Sequence, residues 1–333
     1  MAKSRLGVRT GLMLALSAMF VLAPPSLVAA QDADQSSTEP VETERLILSH
    51  TRIPRLKHSV SCDGVLKQGG LAICRTLPNT RLSLSDGRPD ITTDEDGIAV
   101  IGLSRKAPPQ LTVTSHSDDA PADPLSTRLE IAPRKDKVTE VRGVPCDRLD
   151  SKKRTPAQQK NIERSWLLKQ AAWKSFNQGP GAKDGFVQPA KGRISSKFGG
   201  YRTYITTGCE TRNGRPHFGY DIAAPTGSPI VSPADGVVTL ADDDLFFEGG
   251  TVFIDHGHGL TSIFLHMSKV DVTLGDTVKT GELLGEVGST GTATGPHLHW
   301  GVKYRNPNSS DRSGDFYIDP ELLLELPKIG LPD

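Results

Sequence analysis

The sequence predicts a mostly β protein: an N-terminal small β-sandwich, a linking helix and a C-terminal antiparallel β-sheet domain. Three observations carry this. Short runs with period-two alternation, such as Arg81–Ser85 and Leu111–Ser115, recur along the chain. The 33 Gly and 24 Pro suit many short strands and turns better than long helices. One stretch, 155–178, combines a helix start signal with helical spacing of apolar residues. The 333 residues are enough for about two domains after any leader.

The N-terminus reads as a secretory signal over residues 1–30. Lys3, Arg5 and Arg9 precede an apolar core, Gly11 to Ala23, that is too short to span a bilayer comfortably, with an uncleaved anchor the alternative. Val28-Ala29-Ala30 supplies a small-residue cleavage site. No cysteine lies near the cut, so lipid attachment is not expected, and no later run is apolar enough to cross a membrane. Residues 31–45 are polar and read as a flexible linker. Lys+Arg and Asp+Glu are both 39, so no global field favours nucleic acid or an anionic membrane.

Residues 46–144 form the predicted sandwich. Asp86-Gly87 and Asp96-Gly97 are turn dipeptides between alternating runs. His50, His58 and His116 show no ligand spacing and read as surface or structural residues. An exported protein can keep disulfides, and Cys62, Cys74, Cys146 and Cys209 allow three pairings. Cys62–Cys74 and Cys146–Cys209 are the favoured pairs, with Cys209 as a metal ligand or thiolate the alternative.

At Thr155-Pro156-Ala157-Gln158 a capping box combines with Pro at the first helical position. Ile162, Trp166, Trp173 and Phe176 fall near one helical face, predicting a tryptophan stripe that packs the helix onto a domain. Gly179 and Pro180 are the expected stop. Lys152-Lys153-Arg154 reads as a solvated basic run.

The C-terminal domain is expected over 186–326, with a long loop at Tyr201–Pro216 and an acidic-then-aromatic loop at Asp242–Phe247. Six of the nine histidines lie between His217 and His299. HFGYD sets His217 four residues before Asp221; SIFLHM ends an apolar run at His266; GPHLHWG sets His297 two before His299. Gly219 argues against a helix there, so His217 and Asp221 must converge through an extended or turning segment. Two histidines and a carboxylate suit a catalytic divalent metal, leaving one position for water. In a strand, side chains at i and i+2 share a face roughly 6.6 Å apart, so one imidazole can ligate while the other stands beside the metal. No HExxH occurs, and His266 and His297 are the candidates to accept a proton from metal-activated water. His256 and His258 flank Gly257 in a tight turn and read as structural.

The segments RPHFGYDIAAPTGSPIVSPADGVV and DHGHGLTSIFLHMSKVDVTLGDTVKTGELLGEVGSTGTATGPHLHWGV resemble the lysostaphin/LytM-type zinc endopeptidases, which cut peptides of bacterial peptidoglycan. The resemblance implies one Zn2+ per chain held by His217, Asp221 and His299, with His266 and His297 as the catalytic pair. It also implies a periplasmic location, a peptidoglycan peptide as substrate, and a cell-division or cell-wall regulatory partner. The whole chain resembles exported Gram-negative members with a β-domain ahead of the peptidase. The two unusual loops are expected to wall the groove, with Phe246 or Phe247 against the peptide, or else to pack on the sheet. Three rivals stay open: a non-hydrolytic LytM-type regulator of a cell-wall amidase, a biotinyl/lipoyl-like carrier domain suggested by GDTVKTGELLGEVG, and a mononuclear iron oxygenase.

Overall fold

In the computed structural model, residues 59–116, 125–145, 154–176, 179, 181, 183–207, 212–309 and 314–326 are described. The secretory segment, the polar linker, His50, His58, Lys152-Lys153, Cys146 and Cys209 lie outside them.

The N-terminal region is a sandwich of two sheets. Strands β1 (Ser61–Val65), β2 (Leu71–Arg75) and β5 (Ile98–Gly102) form one, in the order β1-β2-β5. Strands β3 (Arg81–Leu84), β4 (Ile91–Thr92), β6 (Gln110–His116) and β7 (Leu125–Glu130) form the other, in the order β4-β3-β6-β7. Ala72, Cys74, Ala99 and Ile101 from the first sheet meet Leu82, Ile91, Leu111, Val113 and Leu129 from the second. Cys62 and Cys74, opposite one another on β1 and β2, form a disulfide.

Strand β5 is buried at every position, which explains its continuous apolar text IAVIG. Its alternate residues Ile98 and Val100, with Leu71 and Ile73 of β2, face away from the sandwich into a second core. That core belongs to a ten-stranded sheet. Its path uses β9 (Arg193–Ser196), β12 (Tyr220–Ala223), β14 (Gly236–Leu245), β15 (Gly249–Gly257), β16 (Leu260–Val270), β17 (Thr277–Val278) and β19 (Leu298–Tyr304). The order is β17-β14-β15-β16-β19-β12-β9, with β13 (Pro229–Val231), β18 (Leu283–Val287) and β20 (Phe316–Ile318) attached beside it. All its pairings are antiparallel.

The two regions share side chains. The Tyr304 hydroxyl donates to the Val100 carbonyl at 3.0 Å. The ring lies over Gly102, where a Cβ would stand 2.4 Å from Tyr304 Cγ. Arg134 donates to the carbonyls of Gln68 and Phe198, both at 3.0 Å, and pairs with Asp319 at 3.2 Å. Residues Pro54–Asp333 accordingly cluster as one unit.

The expected long loop at Tyr201–Pro216 contains a hairpin. Strand β10 (Tyr201–Thr207) pairs antiparallel with β11 (Arg212–Pro216) and parallel with β8 (Val138–Pro145). The run YRTYITT alternates, but its parallel partner lies some sixty residues earlier, beyond the reach of local pattern.

Helix α1 (Pro156–Ala172) begins with the expected capping box. The Thr155 hydroxyl accepts from Gln158 N, and Gln158 Oε1 accepts from Thr155 N. It ends at Ala172, short of Gly179. The tryptophan stripe needs correction. Trp173, just past the helix, packs against Phe253 with ring centroids 4.6 Å apart and planes tilted by 36°, but Trp166 is 55% exposed. The face that packs carries Ser165, Leu168 and Ala172 instead. Polar anchors set that rotation. Ser165 Oγ accepts from Phe246 N at 3.0 Å, and Arg164 forks onto Asp242 at 2.6 and 3.1 Å. A second, short helix α2 (Pro320–Leu323) follows β20. No helix among the described residues is long and apolar enough to cross a membrane.

Candidate metal centre

Two neighbouring strands present the site. Asp221 on β12 stands opposite His299 on β19, so their side chains share one face of the sheet. The other face carries Ile222, Leu298 and Trp300 into the core. His217 enters from the turn before β12. Its backbone is clamped by Gly199 N to His217 O at 2.8 Å and by His217 N to Gly200 O at 2.9 Å.

His217, Asp221 and His299 converge on one point. Asp221 Oδ1 lies 3.0 Å from His217 Nε2 and 2.9 Å from His299 Nδ1, and the two nitrogens are 3.2 Å apart. Ligands at about 2.0–2.1 Å from a tetrahedral zinc stand roughly 3.3 Å from one another, close to these separations. The proton inventory points the same way. His217 Nδ1–H donates to the Lys197 carbonyl at 3.1 Å. In the neutral ring Nε2 is therefore a lone pair aimed at a carboxylate oxygen, an arrangement that a cation relieves. The donor set fits a divalent metal.

Charge agrees with this. Burial raises the Asp221 carboxyl, but the imidazoles of His217 and His299 in contact with Oδ1 outweigh it and hold the group well below the usual carboxylate range. Burial lowers His299, against the pull of Asp221, which favours the neutral, ligating ring.

His266 and His297 stand beside the three. Their rings are 4.9 Å apart, His266 is 6.3 Å from the His299 ring, and His297 Nε2 is 3.9 Å from Asp221 Oδ1. His266 Nδ1 donates to the Thr290 carbonyl at 3.0 Å, and His297 Nδ1 to the Gly295 carbonyl at 2.8 Å. Each neutral ring thus keeps Nε2 as an acceptor. Burial, and then the neighbouring imidazoles of His297 and His299, lower His266 to about 4, so it is a free base at neutral pH.

His266 reaches the site through a break in strand regularity. Leu265 and His266 together stand opposite Thr251 of β15, a bulge, and His266 has φ +67°. The sequence showed the histidine at the end of its apolar run but not the bulge that re-aims it.

The structure also reports on the other expectations. His256 is fully buried, between the Asp235 carbonyl and Ser262 Oγ, and His258 lies 3.3 Å from Asp94. Phe246 and Phe247 do not line the pocket over His217, Asp221 and His299. They contact each other and lie against the Arg154 guanidinium, which is therefore not merely solvated. The lining instead takes in 292–296 and, from elements that showed no motif, Ser195, Ser196 and Arg202.

Residues 215–312 match Peptidase family M23. A solved structure titled as a putative peptidase M23 from Pseudomonas aeruginosa is 30% identical, with 78% of this chain and 95% of that chain covered and a TM-score of 0.53. The peptidoglycan DD-endopeptidase ShyA of Vibrio cholerae is 39% identical over 111 residues, 33% of this chain and 25% of that protein. The cell division protein DipM of Caulobacter vibrioides is 34% identical over 142 residues, 43% of this chain and 21% of that protein. The chain therefore matches a quarter or less of the length of these two curated relatives.

Proposed function

This chain belongs to peptidase family M23, and on that premise we propose that it is an exported, zinc-dependent endopeptidase acting on peptidoglycan. It hydrolyses peptide bonds in the stem peptides or cross-links, in the periplasm. One observation carries the reading: two imidazole nitrogens and a carboxylate oxygen meet within 3.2 Å, beside two further imidazoles that each keep an acceptor nitrogen. The name of the ShyA relative supports the substrate class.

His217, Asp221 and His299 hold the metal. Zinc, when bound, lowers the pKa of water to about 7 and polarises the scissile carbonyl. His266 Nε2, buried and unprotonated, accepts the proton of the attacking water. That proton then passes to the leaving amine. His297, its Nδ1–H held by Gly295, sets Nε2 beside the metal pocket to hydrogen-bond the reacting groups. The backbone clamps at Gly199 and Gly200 keep His217 from swinging as charge shifts.

The match to the DipM cell division protein keeps a second reading in view, a non-hydrolytic regulator of a cell-wall amidase. Digestion of purified sacculi with mass spectrometry of the soluble products separates the two. The peptidase reading expects new muropeptides with a cleaved peptide bond. Unchanged muropeptides in the presence of zinc-loaded chain would favour the regulator.

A further inference from the structure

Beside the metal centre lies a larger cleft, about 740 Å3 against about 520 Å3 for the pocket over the three ligands. The two share Ser195, Ser196 and Arg202, so they form one continuous depression. Strand β9 runs between them. Among the described strands β9 pairs with β12 alone, and its other edge is free. An extended peptide can add to such an edge through main-chain hydrogen bonds.

The cleft is one-sided in charge, in a chain with 39 cationic and 39 anionic side chains. Lys67, Arg134, Lys135, Lys137, Lys197 and Arg202 line it, against Asp319, Glu321 and Glu325. Two of the acids are engaged: Asp319 pairs with Arg134 at 3.2 Å and Glu321 with Lys197 at 2.6 Å. Lys67, Lys135, Lys137 and Arg202 remain, exposed and without an ion pair among the described residues, facing Glu325 alone. Like charges gathered in a concavity repel one another and focus a field that draws in anions.

The three lysines come from the N-terminal sandwich and the segment leading to β8, outside the 215–312 stretch that matches the family. Their placement is rigid. Arg134 pairs with Asp319 at 3.2 Å, Arg105 pairs with Asp136 between Lys135 and Lys137, and Tyr201 N donates to the Lys137 carbonyl at 2.8 Å.

We infer that this cleft binds the carboxylate-bearing part of an acidic peptide whose neighbouring bond lies at the metal centre, so that the N-terminal region takes part in choosing the substrate. The inference rests on the peptidase reading for the fate of the peptide, but not for its binding. A peptide is preferred over a free phosphate because the cleft runs along an open strand edge into the metal pocket.

The test reads binding apart from cleavage. Labelled soluble muropeptides are titrated, by fluorescence anisotropy, into full chain carrying His266→Ala, once with free carboxylates and once with those carboxylates amidated. The free-carboxylate form should bind about 10-fold more tightly, less so at high salt. Lys67→Gln, Lys135→Gln and Lys137→Gln together should erase that preference. All three lysines are exposed, and an unchanged melting temperature verifies the fold. Lys279→Gln, elsewhere on the surface, should keep the preference. Arg202 is left intact because it donates to Ser196 Oγ, which lies 3.3 Å from His217 Nδ1. Equal affinity for both peptides would overturn the inference, as would a triple variant with full preference. So would displacement of the peptide by low-millimolar inorganic phosphate. In chain with His266 restored, the triple variant should raise KM several-fold and spare kcat. If that chain cuts nothing while the binding preference persists, the peptidase reading falls and the cleft assignment stands.

Discussion

Gly219 lies directly beneath the His299 ring: a Cβ at residue 219 would stand 2.4 Å from both Cε1 and Nε2. No real Cβ contact is that short, so any side chain there must turn the ring and carry Nδ1 off its shared point with Asp221 and His217. The glycine between His217 and Asp221 thus holds the His299 ring in place. Gly219→Ala should weaken metal affinity on the order of 10–100-fold, as loss of ligand-orienting groups does, with the circular dichroism unchanged. Competition against a chromophoric chelator measures it; parental affinity would show that the ring has room to move.

His266 holds a left-handed conformation at a bulge, which costs a non-glycine residue about 1–2 kcal/mol. Its hydrogen bond to Thr290 returns about 1 kcal/mol. His266→Gly should therefore leave the unfolding free energy within about 1 kcal/mol of the parent. Because the residue is assigned the proton transfer, kcat should fall about 10²–10⁴-fold with zinc retained. Denaturant titration and single-substrate kinetics check the pair of outcomes. A variant with parental kcat would remove His266 from the chemistry.

His256 makes stability depend on pH away from the site. It sits in a buried relay in which Trp300 Nε1–H donates to Ser262 Oγ at 3.2 Å, Ser262 donates to His256 Nε2 at 2.8 Å, and His256 Nδ1–H donates to the Asp235 carbonyl at 2.8 Å. Every place in the relay is filled by a neutral ring, and burial lowers the group to about 4. Below about pH 6.5 the unfolded chain takes up a proton that the folded chain refuses, so the contribution present at neutral pH is lost as pH falls toward 4. The loss should approach roughly 3 kcal/mol. Chemical unfolding at a series of pH values measures it, and His256→Asn should lack this component of the slope. A parent with flat stability from pH 6.5 to 4 would refute the account.

The shared core predicts that neither region folds well alone. Gly102→Ala would push a Cβ into the Tyr304 ring, with contacts of 2.4, 2.6 and 2.9 Å. It should destabilise the whole chain by about 1–3 kcal/mol in one cooperative transition. A separate, earlier transition confined to the N-terminal region would show that the two parts are independent.

What the sequence conveyed was local. The HxxxD and HxH spacings, the capping box at Thr155 and the alternation of the strands are each written within a few residues, and the structure brings the five singled-out site residues together. What it did not convey depends on distant partners. The exposure of Trp166 follows from Arg164 meeting Asp242 across 78 positions. The hairpin β10–β11 takes its third strand from far upstream, and Leu71, Ile73, Ile98 and Val100 read as ordinary sandwich residues until the second core appears behind them. The carbonyls of Lys197, Thr290 and Gly295 orient three imidazoles, yet a backbone carbonyl leaves no mark in residue identity.

Peptide hydrolysis should depend on one zinc held by His217, Asp221 and His299. Muropeptide release from sacculi, followed as zinc is titrated into chelator-stripped chain, measures this dependence. Release should rise from background and level off at one zinc per chain, and the His217→Ala variant should stay at background throughout. Stripped chain that cuts as fast as the reconstituted form, or a His217→Ala variant restored by zinc, would contradict the account.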